Sequence, residues 1–264
     1  MQSVSRVLLD RHFSPFRLAL APERGLALVL NPKVGSSFLR DLLAEGYRQH
    51  LGRSDPSDGR YRVLNVARRM PLAPVGAYWG FLRRPQDFAV HTIVRNPYAR
   101  LVSAWRDKFR DGHFAQGGAI AGYPRSIRAG VLAKLRAHAA AKGLPGADEG
   151  ELVPFDTFLS FVQSEPEGRR NKHWEEQWRV ILWDKLPYTG VIRMEEDMGP
   201  QLAQILSPLG FPPDWVIART SRPVNASHKL REPVLNAANA ALISALYARD
   251  FKVFGYDPDS WAGY

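Results

Sequence analysis

Lys33, Gly35, Ser36 and Ser37 stand together in the stretch Asn31-Pro32-Lys33-Val34-Gly35-Ser36-Ser37-Phe38. A cation, a flexible backbone position and two hydroxyls at the start of a helix suit a phosphate or sulfate. Several N–H groups and the positive end of a helix dipole then point at one spot. The same spacing also fits an ordinary strand-to-helix turn whose lysine faces water. A second set is Arg95 and Ser103, a strand-end arginine with its planar fork of donors and a serine two turns into the next helix. A salt bridge across the strand end and a solvent-facing serine fit those two positions as well. The third set lies in Asn171-Lys172-His173-Trp174-Glu175-Glu176-Gln177-Trp178, which mixes His, Trp and acids in a way a core helix does not need. Histidine and glutamate are the usual general bases.

The elements that must position these residues can be read from the hydrophobic pattern. Leu26 to Leu30 is an uninterrupted apolar run of strand length, the signature of a strand buried on both faces. Asn31-Pro32 ends it, and a helix from about Ser36 to Gln49 comes next, with Phe38, Leu39, Leu42 and Leu43 on its apolar face. The plan repeats at Phe88 to Arg95, a second buried strand, then Asn96-Pro97 and a helix to about Arg110. In that helix Leu101, Val102, Trp105 and Phe109 have core spacing, and Arg100, Arg106 and Lys108 read as a solvated face or a guide for an anionic acceptor. His91 lies inside the strand and reads as a core or edge histidine.

Other segments are plainer. Residues 1–24 read as a lead-in with turns at Pro15 and Pro22, Gly52 to Arg60 as a surface loop, and 61–88 as short pieces, because Pro71, Pro74 and Pro85 forbid a long helix. Residues 112–150, rich in Gly and Ala around a helix from about Ser126 to Ala141, read as an insertion near the site. Short helices are expected over Phe155 to Gln163 and about Glu232 to Arg249, a third strand over Tyr188 to Met194, and a helix beginning at Glu195-Glu196-Asp197.

Composition bounds the function. Thirty-six Lys and Arg against 26 Asp and Glu give a net charge of +10, which favours an anionic ligand, acidic polymer or membrane surface. There is no cysteine, which excludes disulfides, thiolate metal sites and a cysteine nucleophile. No signal pattern opens the chain and no apolar run of about 18 residues crosses a bilayer, so a soluble, cytoplasmic protein is expected. The expected architecture is a single α/β domain over 1–264, and no spacing of acids and histidines suggests a metal site.

Pro32 to Phe38 and Val94-Arg95-Asn96-Pro97-Tyr98-Ala99-Arg100-Leu101-Val102-Ser103-Ala104-Trp105-Arg106-Asp107-Lys108-Phe109 resemble the two nucleotide-binding motifs of the Golgi-type carbohydrate sulfotransferases. His173-Trp174, Arg193-Met194-Glu195-Glu196-Asp197, Asn225-Ala226-Ser227 and Asp250 to Tyr256 resemble later family segments, in the family's order. The resemblance implies sulfuryl transfer from 3′-phosphoadenosine 5′-phosphosulfate, with no metal, to a hydroxyl of a sugar or glycoconjugate, and a soluble member of bacterial type. It implies a central parallel sheet flanked by helices, related to the P-loop kinases. Lys33 precedes Gly35, whereas a P-loop places its lysine after the glycines, which argues against an ATP γ-phosphate site.

The resemblance further assigns Lys33, Val34, Gly35, Ser36, Ser37 and Phe38 to the donor's 5′-phosphosulfate, with Lys33 on the leaving oxygen. Arg95 and Ser103 are assigned to its 3′-phosphate. The segment Gly76-Ala77-Tyr78-Trp79-Gly80 lacks the histidine some relatives place there, so His173 is the first candidate base, with Glu175 and Glu176 as alternatives and Trp174 a platform for a sugar ring. The rivals are a non-catalytic binder of nucleic acid or acidic polysaccharide, and a nucleotide kinase. Nucleic acid is not the expected partner.

Overall fold

This computed structural model describes residues 7–50, 75–110, 125–149, 151–221 and 234–264. The strands are β1 (Leu18–Ala21), β2 (Leu26–Val29), β3 (Ala89–Val94) and β4 (Tyr188–Arg193). The helices are α1 (Ser36–His50), α2 (Val75–Arg83), α3 (Pro97–Trp105), α4 (Arg125–Ala141), α5 (Phe155–Ser164), α6 (Gln177–Val180), α7 (Met198–Leu206), α8 (Pro213–Thr220), α9 (Ala237–Leu246) and α10 (Ala248–Phe254). These fall into two compact units, each made of two stretches: Met1–Arg95 with Gln177–Asn225, and Asn96–Glu176 with Ala226–Tyr264. The protein is an α/β protein.

The first unit carries the sheet, in the order β1-β2-β3-β4. β2, β3 and β4 are parallel, with Leu28 opposite His91 and Ile93 opposite Ile192. All four residues of β2 are buried, as the continuous apolar run requires. The strand stops at Val29, one residue short of the expected end. β1 was not expected: within the supposed lead-in it pairs antiparallel with β2, so the sheet is mixed. Its four residues lie between two proline-led turns, Pro15–Arg17 and Pro22–Arg24. That is too short a run to show alternation.

Two helices brace this sheet and its first loop. α2 joins it through the Tyr78 hydroxyl, which donates to the Leu18 carbonyl at 3.3 Å, and its nine residues replace the short pieces expected there. α1 buries Phe38, Leu39, Leu42 and Leu43 as expected. At Gly46 a Cβ would lie 1.9 Å from the Phe211 ring, so only glycine allows that close approach. Glu195 and Glu196 do not enter α7. Asp197 caps it by accepting from the Gly199 N–H at 3.3 Å.

The second unit is helical, around a core that includes Tyr98, Trp105, Phe109, Phe158, Trp174, Ile243, Tyr247 and Phe251. Trp105 and Phe109 are core residues, as their spacing predicts. α3 is shorter than expected: after Trp105 the backbone widens to a π-turn over Arg106–Arg110. The helix expected over Glu232 to Arg249 instead begins after Asn236, whose side chain and that of Asn239 form a reciprocal cap, and it breaks at Tyr247. Readings that concern Gly52 to Arg60, 61–74, 112–124, Asn225 to Ser227 and Glu232 lie outside the described residues. No described helix is long and apolar enough to cross a membrane.

Candidate functional site

The first site loop leaves β2 at Leu30 and enters α1 at Ser36. Lys33 has φ +70° and Gly35 φ +77°. The left-handed region costs about 1–2 kcal/mol for a residue with a Cβ, so a lysine held there is strain stored in a turn. Exposure alternates along it: Val34 and Phe38 are buried in the core, whereas Lys33, Gly35 and Ser36 are half-buried and Ser37 is exposed. The side chains of Val34 and Phe38 therefore anchor the turn, and only their backbone remains to meet a ligand. The first helical bond, Leu39 N–H to the Gly35 carbonyl at 2.9 Å, fixes where α1 begins. Lys33, a positive helix end and two hydroxyls thus converge on one turn.

Arg95 ends the first stretch of the same unit. Its guanidinium donates through Nη1 to the Lys33 carbonyl at 3.2 Å, so the structure brings the strand-end arginine onto the loop that holds the lysine. The backbone of Arg95 is gripped by Gln177, which is 0% exposed. Gln177 Oε1 accepts from the Arg95 N–H at 2.9 Å and its Nε2 donates to the Arg95 carbonyl at 2.7 Å. Asn31 Nδ2 also donates to Gln177 Oε1 at 2.9 Å and lies 3.3 Å from the Ile93 carbonyl. Sequence reading missed Gln177. It sits 82 residues from Arg95 in a polar stretch, and no spacing rule links the two.

Ser103 and His173 belong to the second unit. Ser103 is half-buried on α3, and its carbonyl accepts from Arg106 where the helix widens into the π-turn. Arg100 corrects the reading of α3 as bearing a solvated basic face. It is 2% exposed, and its guanidinium donates to the carbonyls of Glu175 at 2.7 Å and Lys172 at 2.9 Å. Lys108, also read as solvated, is buried beside Asp107 at 2.7 Å. Arg100 thus ties α3 to the turn that carries His173.

Within that turn only Asn171, Lys172 and His173 keep appreciable accessible surface. Trp174 is 1% exposed, packs against Phe109 and Phe158, and donates from Nε1 to Glu165 at 2.6 Å. It is a core residue and no platform for a sugar. Burial pushes the Glu165 carboxyl up, against the pull of the Trp174 donor. Glu175 and Glu176 are buried, and the Glu175 carboxylate accepts the N–H groups of Arg170 and Glu176 at 2.9 and 3.1 Å.

His173 lies with Nδ1 2.7 Å from Asn171 Oδ1, which also accepts the His173 backbone N–H at 3.1 Å. Because that backbone group can only donate, the Asn171 atom is the acceptor oxygen and Nδ1 carries the proton. In the neutral ring the lone pair is then on Nε2, the arrangement a general base needs. His91, on β3, is half-buried and its pKa is lowered by burial, as a core or edge histidine requires. Among the described residues no group of three or more His, Asp or Glu could hold a metal ion.

Comparison with known proteins identifies the family. The model of the sulfotransferase family matches residues 23–257. Carbohydrate sulfotransferase 14 of Homo sapiens is 28% identical over 180 residues, covering 66% of this chain and 43% of that protein. The Mus musculus carbohydrate sulfotransferase 14 matches with the same identity and coverage. The aligned stretch thus spans less than half the length of these relatives. No solved structure matches the chain.

Proposed function

This chain belongs to the sulfotransferase family, and we propose that its reaction moves a sulfuryl group from 3′-phosphoadenosine 5′-phosphosulfate to a hydroxyl of a carbohydrate. One observation carries the donor assignment: the guanidinium of Arg95 donates to the carbonyl of Lys33. That bond joins the two motifs that the family devotes to the donor's two ends. The carbohydrate acceptor is suggested by the relatives' names, carbohydrate sulfotransferase 14.

In this reading the backbone N–H groups of Gly35, Ser36 and Ser37, with the two serine hydroxyls, bind the 5′-phosphosulfate at the start of α1. Val34 and Phe38 contribute backbone only. The S–O bond to the phosphate breaks as the S–O bond to the acceptor oxygen forms, and negative charge grows on the phosphate oxygen that leaves. Lys33 neutralises that charge, an interaction stronger in the transition state than before it. The acceptor's proton passes to a base, for which the Nε2 lone pair of His173 is suited. The family motif gives Ser103, with Arg95, to the 3′-phosphate. The order of Lys33 before Gly35 sets this loop apart from the P-loop kinases, to which we relate its strand-loop-helix plan.

The direct test uses donor labelled with radioactive sulfur and a panel of hydroxyl-rich polysaccharides. Label transferred to a polysaccharide, with release of 3′,5′-ADP in equal amount, is the expected outcome. Transfer to none of them, in a protein that does bind 3′,5′-ADP, would remove the carbohydrate acceptor and leave the donor assignment standing.

A further inference from the structure

We propose that Gln177 is a positioning residue for the donor site: its amide stands in for an absent strand beside Arg95 and sets the spacing between Arg95 and the Lys33 loop. This inference rests on the donor assignment above.

The sheet shows why such a residue is needed. β2 pairs with β3 only as far as Val29 opposite Thr92, where its chain turns away to form the Lys33 loop. β3 runs on beside β4, with Val94 opposite Arg193 and the Met194 N–H donating to the Val94 carbonyl at 2.9 Å. Alternate residues of a strand offer their backbone groups to opposite neighbours. Val94 therefore faces β4, and Ile93 and Arg95 face the gap that β2 has left. Buried backbone groups must be paired. Asn31 Nδ2 reaches the Ile93 carbonyl, and Gln177 takes both the N–H and the carbonyl of Arg95.

The two amides also bind each other, Asn31 Nδ2 to Gln177 Oε1 at 2.9 Å. A bridge of side chains thus spans the gap from Asn31 in the loop to Arg95. The bridge has firm footing. Trp178 and Val180 of α6 are buried, Arg17 Nη1 donates to the Val180 carbonyl at 2.8 Å, and the Tyr188 hydroxyl donates to the Ile181 carbonyl.

Only a primary amide meets these demands. Its oxygen has two lone pairs for the Arg95 and Asn31 donors, and its nitrogen donates to the Arg95 carbonyl. An ionised carboxylate keeps the acceptors but loses the donor, and sets a negative charge against that carbonyl. A leucine keeps the bulk and loses all three bonds.

The test measures, by isothermal titration without Mg²⁺, the affinity for 3′,5′-ADP relative to 5′-AMP in the wild type, Gln177→Leu and Gln177→Glu. Loss of folded protein weakens both ligands alike and cancels in the ratio, so a purely structural role leaves the ratio unchanged. The wild type is expected to favour 3′,5′-ADP, and Gln177→Leu to cut that preference by about tenfold, the size of one weakened charge-assisted contact. Gln177→Glu should match Gln177→Leu at pH 8 and recover toward the wild-type ratio as the pH falls, because a protonated carboxyl regains an O–H donor. Gln177→Leu with weaker binding but an unchanged ratio overturns the proposal. If that variant does not fold, a Gln177→Glu ratio equal to wild type at every pH overturns it. A wild type with no preference overturns the donor assignment itself, an outcome seen before any variant is made.

Discussion

Asn31-Pro32 after β2 and Asn96-Pro97 after β3 are the same dipeptide at the ends of two neighbouring parallel strands, and their asparagines do opposite work. Asn96 turns inward on its own helix. Its Oδ1 accepts from the Tyr98 N–H at 3.0 Å and its Nδ2 donates to Ser260 at 2.9 Å, so α3 starts at once, with Pro97 in its first turn. Asn31 reaches across the sheet to Ile93 and Gln177, and α1 waits until Ser36. The intervening turn is shaped by the positive φ angles of Lys33 and Gly35. The proline breaks both strands alike, and the partners each asparagine finds decide how soon a helix starts. The first copy is left with a backbone turn suited to an anion. The second has given an opening N–H to its own cap, and the strand-end Arg95 before it reaches the Lys33 carbonyl through its side chain.

This contrast can be broken by substitution, and the largest effect is expected at Lys33. Lys33→Ala should lower kcat on the order of 10²–10³-fold while the donor's KM moves far less, because the lost interaction belongs to the transition state. Equal losses of binding and turnover would make the lysine an ordinary anchor. Arg95→Ala comes next, weakening 3′,5′-ADP by about 10–100-fold with little change for 5′-AMP, read by titration.

The asparagine pair sharpens the contrast directly. Asn31→Ala should cost about 1–3 kcal/mol in urea unfolding, since it strips a bridge between buried groups, and it should also blunt the 3′-phosphate preference. Asn96→Ala should cost about 1 kcal/mol, the worth of a cap, and leave that preference intact. If the two variants behaved alike in nucleotide binding, the distinction between bridge and cap would fail.

The smallest effect separates the strands themselves. Opposite each other lie Leu28 on β2 and His91 on β3, and burial lowers the His91 pKa below its ordinary 6.5. The unfolded chain then takes up that proton more readily than the folded one. Stability is full above pH 6.5 and falls as the pH drops below it. Thermal melts of His91→Gln between pH 7 and pH 5 should decline less steeply than those of the wild type. An equal decline would place the titration elsewhere.

Much of the Lys33 loop was legible in the sequence because its signals are local. The apolar run at Leu26, the Asn-Pro break and the spacing of Phe38, Leu39, Leu42 and Leu43 each read within a few residues. The arginine at the end of β3 was legible for the same reason. The features that escaped depend on partners distant in the chain. Arg100 reads as surface on an amphipathic helix, yet it is buried because two carbonyls more than 70 residues later accept from it. Trp174 reads as a binding aromatic beside a histidine, but aromatic neighbours from α5 and the π-turn enclose it. Gln177 has no local signature at all. Its role arises only because β2 departs and leaves the edge of Arg95 to be paired.

In the proposed reading this chain holds a nucleotide by two phosphates, one at the backbone turn of Lys33 to Ser37 and one at Arg95. Isothermal titration of the wild type with 3′,5′-ADP and with ADP, each with and without Mg²⁺, tests it most directly. Preference for 3′,5′-ADP by about tenfold or more, unaffected by Mg²⁺, is the expected result. Equal affinity for the two nucleotides, or tighter binding of ADP with Mg²⁺, would contradict it.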